Sequence, residues 1–164
     1  MTQAADEAAA DRLFAALRWP DGPRCPLCGS AAVGVLHGGH HGRPRHKCRT
    51  CRRQFSVTKS TILEGTHLHL TVWWRVVTVL TATPDGASIA LLERKIGIGR
   101  TAARNVLARL LYAARRPPLA DLLPPDPADG EPRLLFTALT AQALLAALLA
   151  TPAPTDAPRV LDLA

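Results

Sequence analysis

Four cysteines occur as two close pairs, Cys25-Pro26-Leu27-Cys28 and Cys48-Arg49-Thr50-Cys51, with nineteen residues between the pairs. A C-x2-C segment can form a tight turn that aims two thiolates inward, and two such turns complete a tetrahedral site around zinc. The expected metal ligands are therefore Cys25, Cys28, Cys48 and Cys51, and the expected cofactor is Zn2+. Four free core cysteines are the competing reading, and the double-pair spacing argues against it. Four thiolates leave no open position for water or substrate, so the metal is expected to be structural rather than catalytic. Gly29 supplies the conformational freedom of the first turn, while Arg49, Arg52 and Arg53 help to offset the thiolate charge.

The same stretch holds His37, His40, His41 and His46. With the coordination sphere already filled, these read as solvent-exposed loop residues, a weak second metal site being the sharper alternative. His67 and His69 read as a surface pair ahead of a helix.

Positioning the two cysteine pairs requires a scaffold, and the texture of the chain changes along its length. Leu13, Phe14 and Leu17 recur at helical spacing before the turn signal Trp19-Pro20-Asp21-Gly22, predicting a short N-terminal helix over residues 1–19. Residues 20–66 lack a helical period. Cysteine, glycine and proline punctuate β-prone pieces such as Val33–Leu36 and Gln54–Val57, which predicts a zinc ribbon with a short antiparallel sheet. Residues 67–116 return to helix. Thr71 is placed to cap a helix carrying Trp73, Val76, Val77 and Leu80, and Ser88 to cap a second carrying Ile89, Leu92 and Ile96. Gly97-Ile98-Gly99 then turns the chain into a third helix with Ala103, Val106, Leu107, Leu110, Leu111 and Ala114 on one stripe. Three helices with a short turn before the last predict a helix-turn-helix unit. Residues 117–132 are rich in Pro and Asp and read as a linker. Residues 133–164 contain the uncharged run Leu134–Ala150, read as a helix, and a Pro-containing tail. The fold class expected is α+β.

Charge narrows the partner. Residues 1–116 carry 18 basic and 7 acidic side chains, whereas residues 117–164 carry 2 and 6. A basic excess confined to the ribbon and helices favours a polyanion, with double-stranded DNA first and an anionic membrane surface second. Arg100, Thr101, Arg104 and Asn105, near the start of the third helix, suit base edges in a major groove. Arg109, Arg115 and Arg116 suit the phosphate backbone. In the ribbon, Arg43, Arg45, Lys47, Arg52 and Arg53, joined by Arg49 and Lys59, form a second basic cluster. Trp73 and Trp74 sit at helical spacing with Val76 and Val77 and read as packing residues. The run Leu134–Ala150 is at the lower limit for spanning a bilayer. Docking on the preceding domain, or on a second copy to give a homodimer, fits it better. The N-terminal run carries Asp6, Glu7 and Asp11 and lacks a secretory pattern, so an intracellular, nucleoid-associated location is expected.

Several spaced motifs agree in order and separation with one family. Trp19-Pro20-Asp21-Gly22, Cys25-Pro26-Leu27-Cys28-Gly29, Cys48-Arg49-Thr50-Cys51-Arg52-Arg53-Gln54-Phe55-Ser56-Val57, Thr61-Ile62-Leu63-Glu64-Gly65-Thr66 and Trp73-Trp74 together resemble the N-terminal zinc ribbon of bacterial insertion-sequence transposases of the DDE type. The resemblance is close over about residues 11–83 and looser to about residue 116. It implies a DNA-binding head that recognises the terminal inverted repeats of a mobile element. It would also imply an RNase-H-like domain with three acidic residues on two divalent metals. Yet Gly130-Glu131 leads into Pro132-Arg133-Leu134-Leu135-Phe136-Thr137, with no acidic residue before Asp156. Asp121, Asp126, Asp129, Asp156 and Asp162 lie in Pro-rich context that offers no rigid support for paired carboxylates.

The expectation is a non-catalytic DNA-binding protein acting as a regulator or accessory factor of a mobile element. Two alternatives remain open: a ribbon that contacts transcription or recombination proteins, and a truncated, inactive transposase remnant.

Overall fold

Asp6 opens the first helix, its carboxylate accepting from the Ala9 N–H at 2.6 Å, and helix α1 runs over Glu7–Arg18 with Ala10 and Phe14 fully buried. The computed structural model describes residues 6–36, 44–123 and 134–154. Three short strands follow, β1 (Val33–Leu36), β2 (Arg45–Cys48) and β3 (Gln54–Phe55), in one antiparallel sheet of order β1-β2-β3. The register sets Val35 opposite His46 and Gly34 opposite Lys47, and β3 adds Phe55 to the first row and Gln54 to the second. Because side chains alternate across a strand, one face carries Val35, His46 and Phe55 and the other carries Gly34, Lys47 and Gln54. A small core lies under the first face, formed by Cys25, Cys48 and Phe55 with Trp19, Val33 and Cys51 at its edge.

The helical body consists of α2 (Leu70–Thr81), α3 (Ile89–Ile96), α4 (Arg100–Ala114), the single turn α5 (Leu119–Leu122) and α6 (Ala141–Ala150). Its core is a second, larger cluster, built on Phe14, Leu70, Trp73, Leu80, Leu92, Leu110, Phe136, Leu144 and Leu145 among others, and Trp19 touches both clusters. Ser88 caps α3 as expected, accepting from Leu91 N–H at 3.2 Å, and Gly97 closes the helix in the left-handed region at φ 77. Gly99 then precedes α4, so two helices meet across the expected three-residue turn.

The cap of α2 differs from expectation. Thr71 lies inside the helix, and the preceding His69 makes no side-chain cap. The acceptor arrives from α1: Glu7 takes the N–H groups of Leu70 and Thr71 at 3.1 and 3.0 Å and the Thr71 hydroxyl at 2.9 Å. A carboxylate at a helix N-terminus satisfies orphan donors and complements the helix dipole.

The C-terminal run also differs. Helix begins only at Ala141, where Thr140 accepts from Ala143 N–H, and residues 134–139 run irregularly with Leu134 and Phe136 buried. The Leu134 carbonyl accepts from Ala87 N–H at 3.1 Å, which seats this stretch against the turn between α2 and α3. Helix α6 packs on α1 and α2, burying Leu144, Leu145, Leu148 and Leu149 within its own chain. The leucines expected at a homodimer seam are thus covered within one chain. Of the expected linker, residues 119–122 form α5 with Leu119 buried, and residues 124–132 lie outside the described residues.

Residues 56–66 join ribbon to body and are gripped from both sides. From α1, Arg18 donates to the carbonyls of Val57 and, at 2.7 Å, Lys59. From α4, Arg109 donates to the carbonyls of Ile62 and, at 3.0 Å, Glu64. Ile62 N–H in turn donates to Thr151 O at 2.9 Å, and Lys59 pairs with Glu64.

Candidate zinc centre and basic surfaces

The metal site is assembled from two turns of the same design. In the first, Gly29 N–H donates to Cys25 O at 2.8 Å and Cys25 N–H to Ser30 O at 2.9 Å. In the second, Cys51 N–H points at Cys48 Sγ from 3.4 Å and Cys48 N–H donates to Arg53 O at 3.0 Å. The residue after each pair is left-handed, Gly29 at φ 74 and Arg52 at φ 61. Glycine takes this conformation freely, whereas at Arg52 the Cβ makes it strained.

A tetrahedral zinc with Zn–S bonds of about 2.3 Å places its sulfurs roughly 3.8 Å apart. Here Cys25 Sγ lies 3.7 Å from Cys51 Sγ, Cys28 Sγ lies 3.6 Å from Cys48 Sγ, and all four fall within 4.8 Å of one another. The donor set and spacing fit a closed four-thiolate zinc site. Without a metal the thiols compete for charge. The Cys51 N–H, then Cys28 and the Thr50 N–H, outweigh burial and bring Cys48 down to about 6. At Cys28 the Ser30 N–H favours the thiolate, but the thiols of Cys48, Cys25 and Cys51 and loss of solvent push it up to about 12. A divalent cation removes that conflict by holding all four as thiolates.

His46 corrects the expectation of an exposed loop histidine. It lies on β2, 5 % exposed, stacked on Phe55 at 5.4 Å between centroids and meeting the edge of Trp19 at 5.2 Å. Neither ring nitrogen has a hydrogen-bond partner among the described residues, and burial, then the Arg18 charge, holds its pKa below the usual histidine range. The alternation of β2 explains the difference: His46 shares the inward face with Cys48. His37, His40 and His41 lie outside the described residues.

The expected DNA-facing residues separate by environment. Arg45, Lys47, Arg49, Arg52 and Arg53 are exposed on the ribbon, and Arg43 lies outside the described residues. On α4, Arg100, Thr101 and Arg104 are exposed and Asn105 is half-buried. Arg109, expected on the outer face, is instead half-buried, its guanidinium engaged by the Ile62 and Glu64 carbonyls, and desolvation lowers its pKa. Arg116 folds back over the Tyr112 ring at 3.6 Å, while Arg115 remains exposed. Sequence patterning also missed Arg18, whose pKa falls to about 10 because burial outweighs the attraction of Glu64. A helix-terminal arginine carries no local sign of such a role.

No described helix is long and apolar enough to cross a membrane. Among known proteins, residues 5–54 match the family model described as a transposase zinc-ribbon domain, of the IS1595 type. Over 111 residues the chain is 28% identical to an uncharacterized protein in transposable element ISH50 of Halobacterium salinarum. That alignment covers 68% of this chain and 37% of the relative, so the chain spans little more than a third of the relative's length. No solved structure matches it. Two thiolate turns, a three-stranded sheet and this match agree: the N-terminal part of the chain is built as a zinc ribbon and is similar to the zinc-ribbon domain of transposases.

Proposed function

We propose that this chain is a DNA-recognition protein of a mobile element, in which a zinc-held ribbon and α4 bind duplex DNA and no catalytic step is assigned to the residues present. The observation that carries the reading is the pair of exposed basic surfaces. Arg45, Lys47, Arg52 and Arg53 project from the ribbon, and Arg100 and Arg104 from the start of α4 beside Thr101. Between Asp21 and Glu64 the chain has no acidic residue to oppose the ribbon's cations. The zinc supplies the fold on which one surface stands. The other surface begins at a helix reached through Gly97-Ile98-Gly99, the arrangement in which a recognition helix meets base edges with its first turns.

The family match and the transposable-element relative support the biological setting, with the element's terminal repeats as the proposed target. The proposed location is the cytoplasm, at the nucleoid. The experiment is binding of the zinc-loaded chain to duplex DNA over a range of salt. A log–log slope steeper than about −4 is expected from several phosphate contacts. Absence of binding at low salt would refute the reading. It would favour a second one, a protein-binding ribbon, for which the exposed Leu27 and Val35 supply apolar surface.

A further inference from the structure

Resting on the DNA-binding reading, we propose that the outward face of the β1–β2 ladder enters the major groove, with Gly34 as the point of closest approach and Lys47 and Arg49 as its readers. The register places Gly34 directly opposite Lys47, on the face turned away from His46 and Phe55. Leu36 lies opposite Arg45 on the same face. Arg49 reaches across it, its Nε 3.9 Å from where a Cβ on Gly34 would stand. Gly34, Lys47, Arg49 and Arg52 line a shallow open depression, together with Val35, Leu36 and Cys48. The face is therefore a floor without side-chain bulk at Gly34, bordered by long cations and crossed by the Arg49 side chain.

Among the described residues, nothing requires glycine at this position. Gly34 is absent from the glycines in the left-handed region, and a Cβ there would meet only ordinary contacts, at 3.9 and 4.0 Å. Glycine weakens a strand interior and often marks a bulge, a bend or a place that a ligand or another backbone approaches closely; the β1–β2 register runs unbroken through Gly34, which speaks against a bulge. A two-stranded ribbon fits the major groove, which is about 12 Å wide, and arginine or lysine there meets the O6 and N7 acceptors of guanine. The cations specify an anionic partner, and the low floor at Gly34 suits one that approaches closely once Arg49 turns toward it.

The test uses the full, zinc-loaded chain on selected duplex sites. Gly34→Val adds a side chain suited to a strand without changing charge. It is expected to retain zinc and the salt slope yet bind about tenfold or more weakly, on the scale of one lost base contact. Leu122→Ala, at an exposed apolar residue on α5 away from the ribbon, is expected to bind as wild type. Methylation of guanine N7 within the site is expected to interfere with wild-type binding, and some of those guanines should cease to matter in Lys47→Met. Wild-type affinity in a zinc-loaded Gly34→Val would overturn the proposal. So would an identical methylation pattern in Lys47→Met, a result that does not depend on whether the Gly34 variant folds. A wild-type chain that binds no duplex at all would instead remove the proposed function, and this inference with it.

Discussion

Stripping zinc is expected to unfold the ribbon while leaving the helical body folded, because the two have distinct buried clusters that share only the partly buried Trp19 at their edges. Under the sheet the buried set is Cys25, Cys48 and Phe55, with Trp19, Val33 and Cys51 partly covered. A fully buried large apolar side chain contributes about 1.5–3 kcal/mol, whereas a structural zinc supplies roughly 10–16 kcal/mol at neutral pH. Phe55 and its few neighbours cannot replace the metal. The helical core instead buries Phe14, Ile62, Leu70, Trp73, Leu80, Leu92, Leu110, Phe136, Leu144 and Leu145 without any metal ligand. Hydrogen exchange read peptide by peptide, before and after chelation and in Cys48→Ser, checks this. Amides of β1, β2 and β3 should lose protection, while those of α2, α4 and α6 should keep most of theirs. The Trp73 indole should stay on Thr66, to which it donates at 3.0 Å. Loss of α2 and α6 protection in step with zinc release would refute the separation and make the chain one cooperative unit.

Three further outcomes follow from single contacts. Glu7→Gln should cost about 1–2 kcal/mol at pH 7 through the weakened cap of α2. Burial raises the Glu7 pKa, but the N–H groups of Thr71 and Leu70, the Thr71 hydroxyl and His69 more than offset it, leaving the carboxyl below its ordinary 4.5. A depressed pKa stabilises above the unfolded value and is lost as pH falls through the folded one, so urea midpoints of variant and wild type should converge in acid. Arg109→Met should destabilise by about 1–3 kcal/mol by leaving the Ile62 and Glu64 carbonyls short of a donor, with the salt slope of DNA binding unchanged. A slope shallower by about 1 would return Arg109 to the DNA backbone. Arg52→Gly should relieve roughly 1 kcal/mol of left-handed strain in metal-loaded melts while weakening DNA binding, which separates stability from recognition at one residue.

Much of the architecture was legible because it is encoded over short distances. The spacing of Cys25, Cys28, Cys48 and Cys51 dictates two thiolate turns, whatever surrounds them. Ser88 and the stripe of Ala103, Val106 and Leu110 announce α3 and α4 through local capping and helical period, and the structure forms both. The alternation in Arg45-His46-Lys47-Cys48 already contained the two faces of β2, although the histidine-rich context pointed His46 toward solvent.

Other features depended on which faces meet, and that is a property of the packed chain. Glu7 caps a helix 63 residues away, a relation no local window contains. Arg18 and Arg109 were indistinguishable from surface arginines until the segment 57–64 passed between α1 and α4 and offered its carbonyls to both. The Ala/Leu run of α6 is apolar on nearly every side, so its composition could not choose between a second copy and its own chain. Packing on α1 and α2 gives its leucines a partner within the chain. Periodicity and ligand spacing thus specify elements and a metal site, because they act within one turn or one hairpin. The use of a charge or an apolar face depends on the neighbour that folding brings to it.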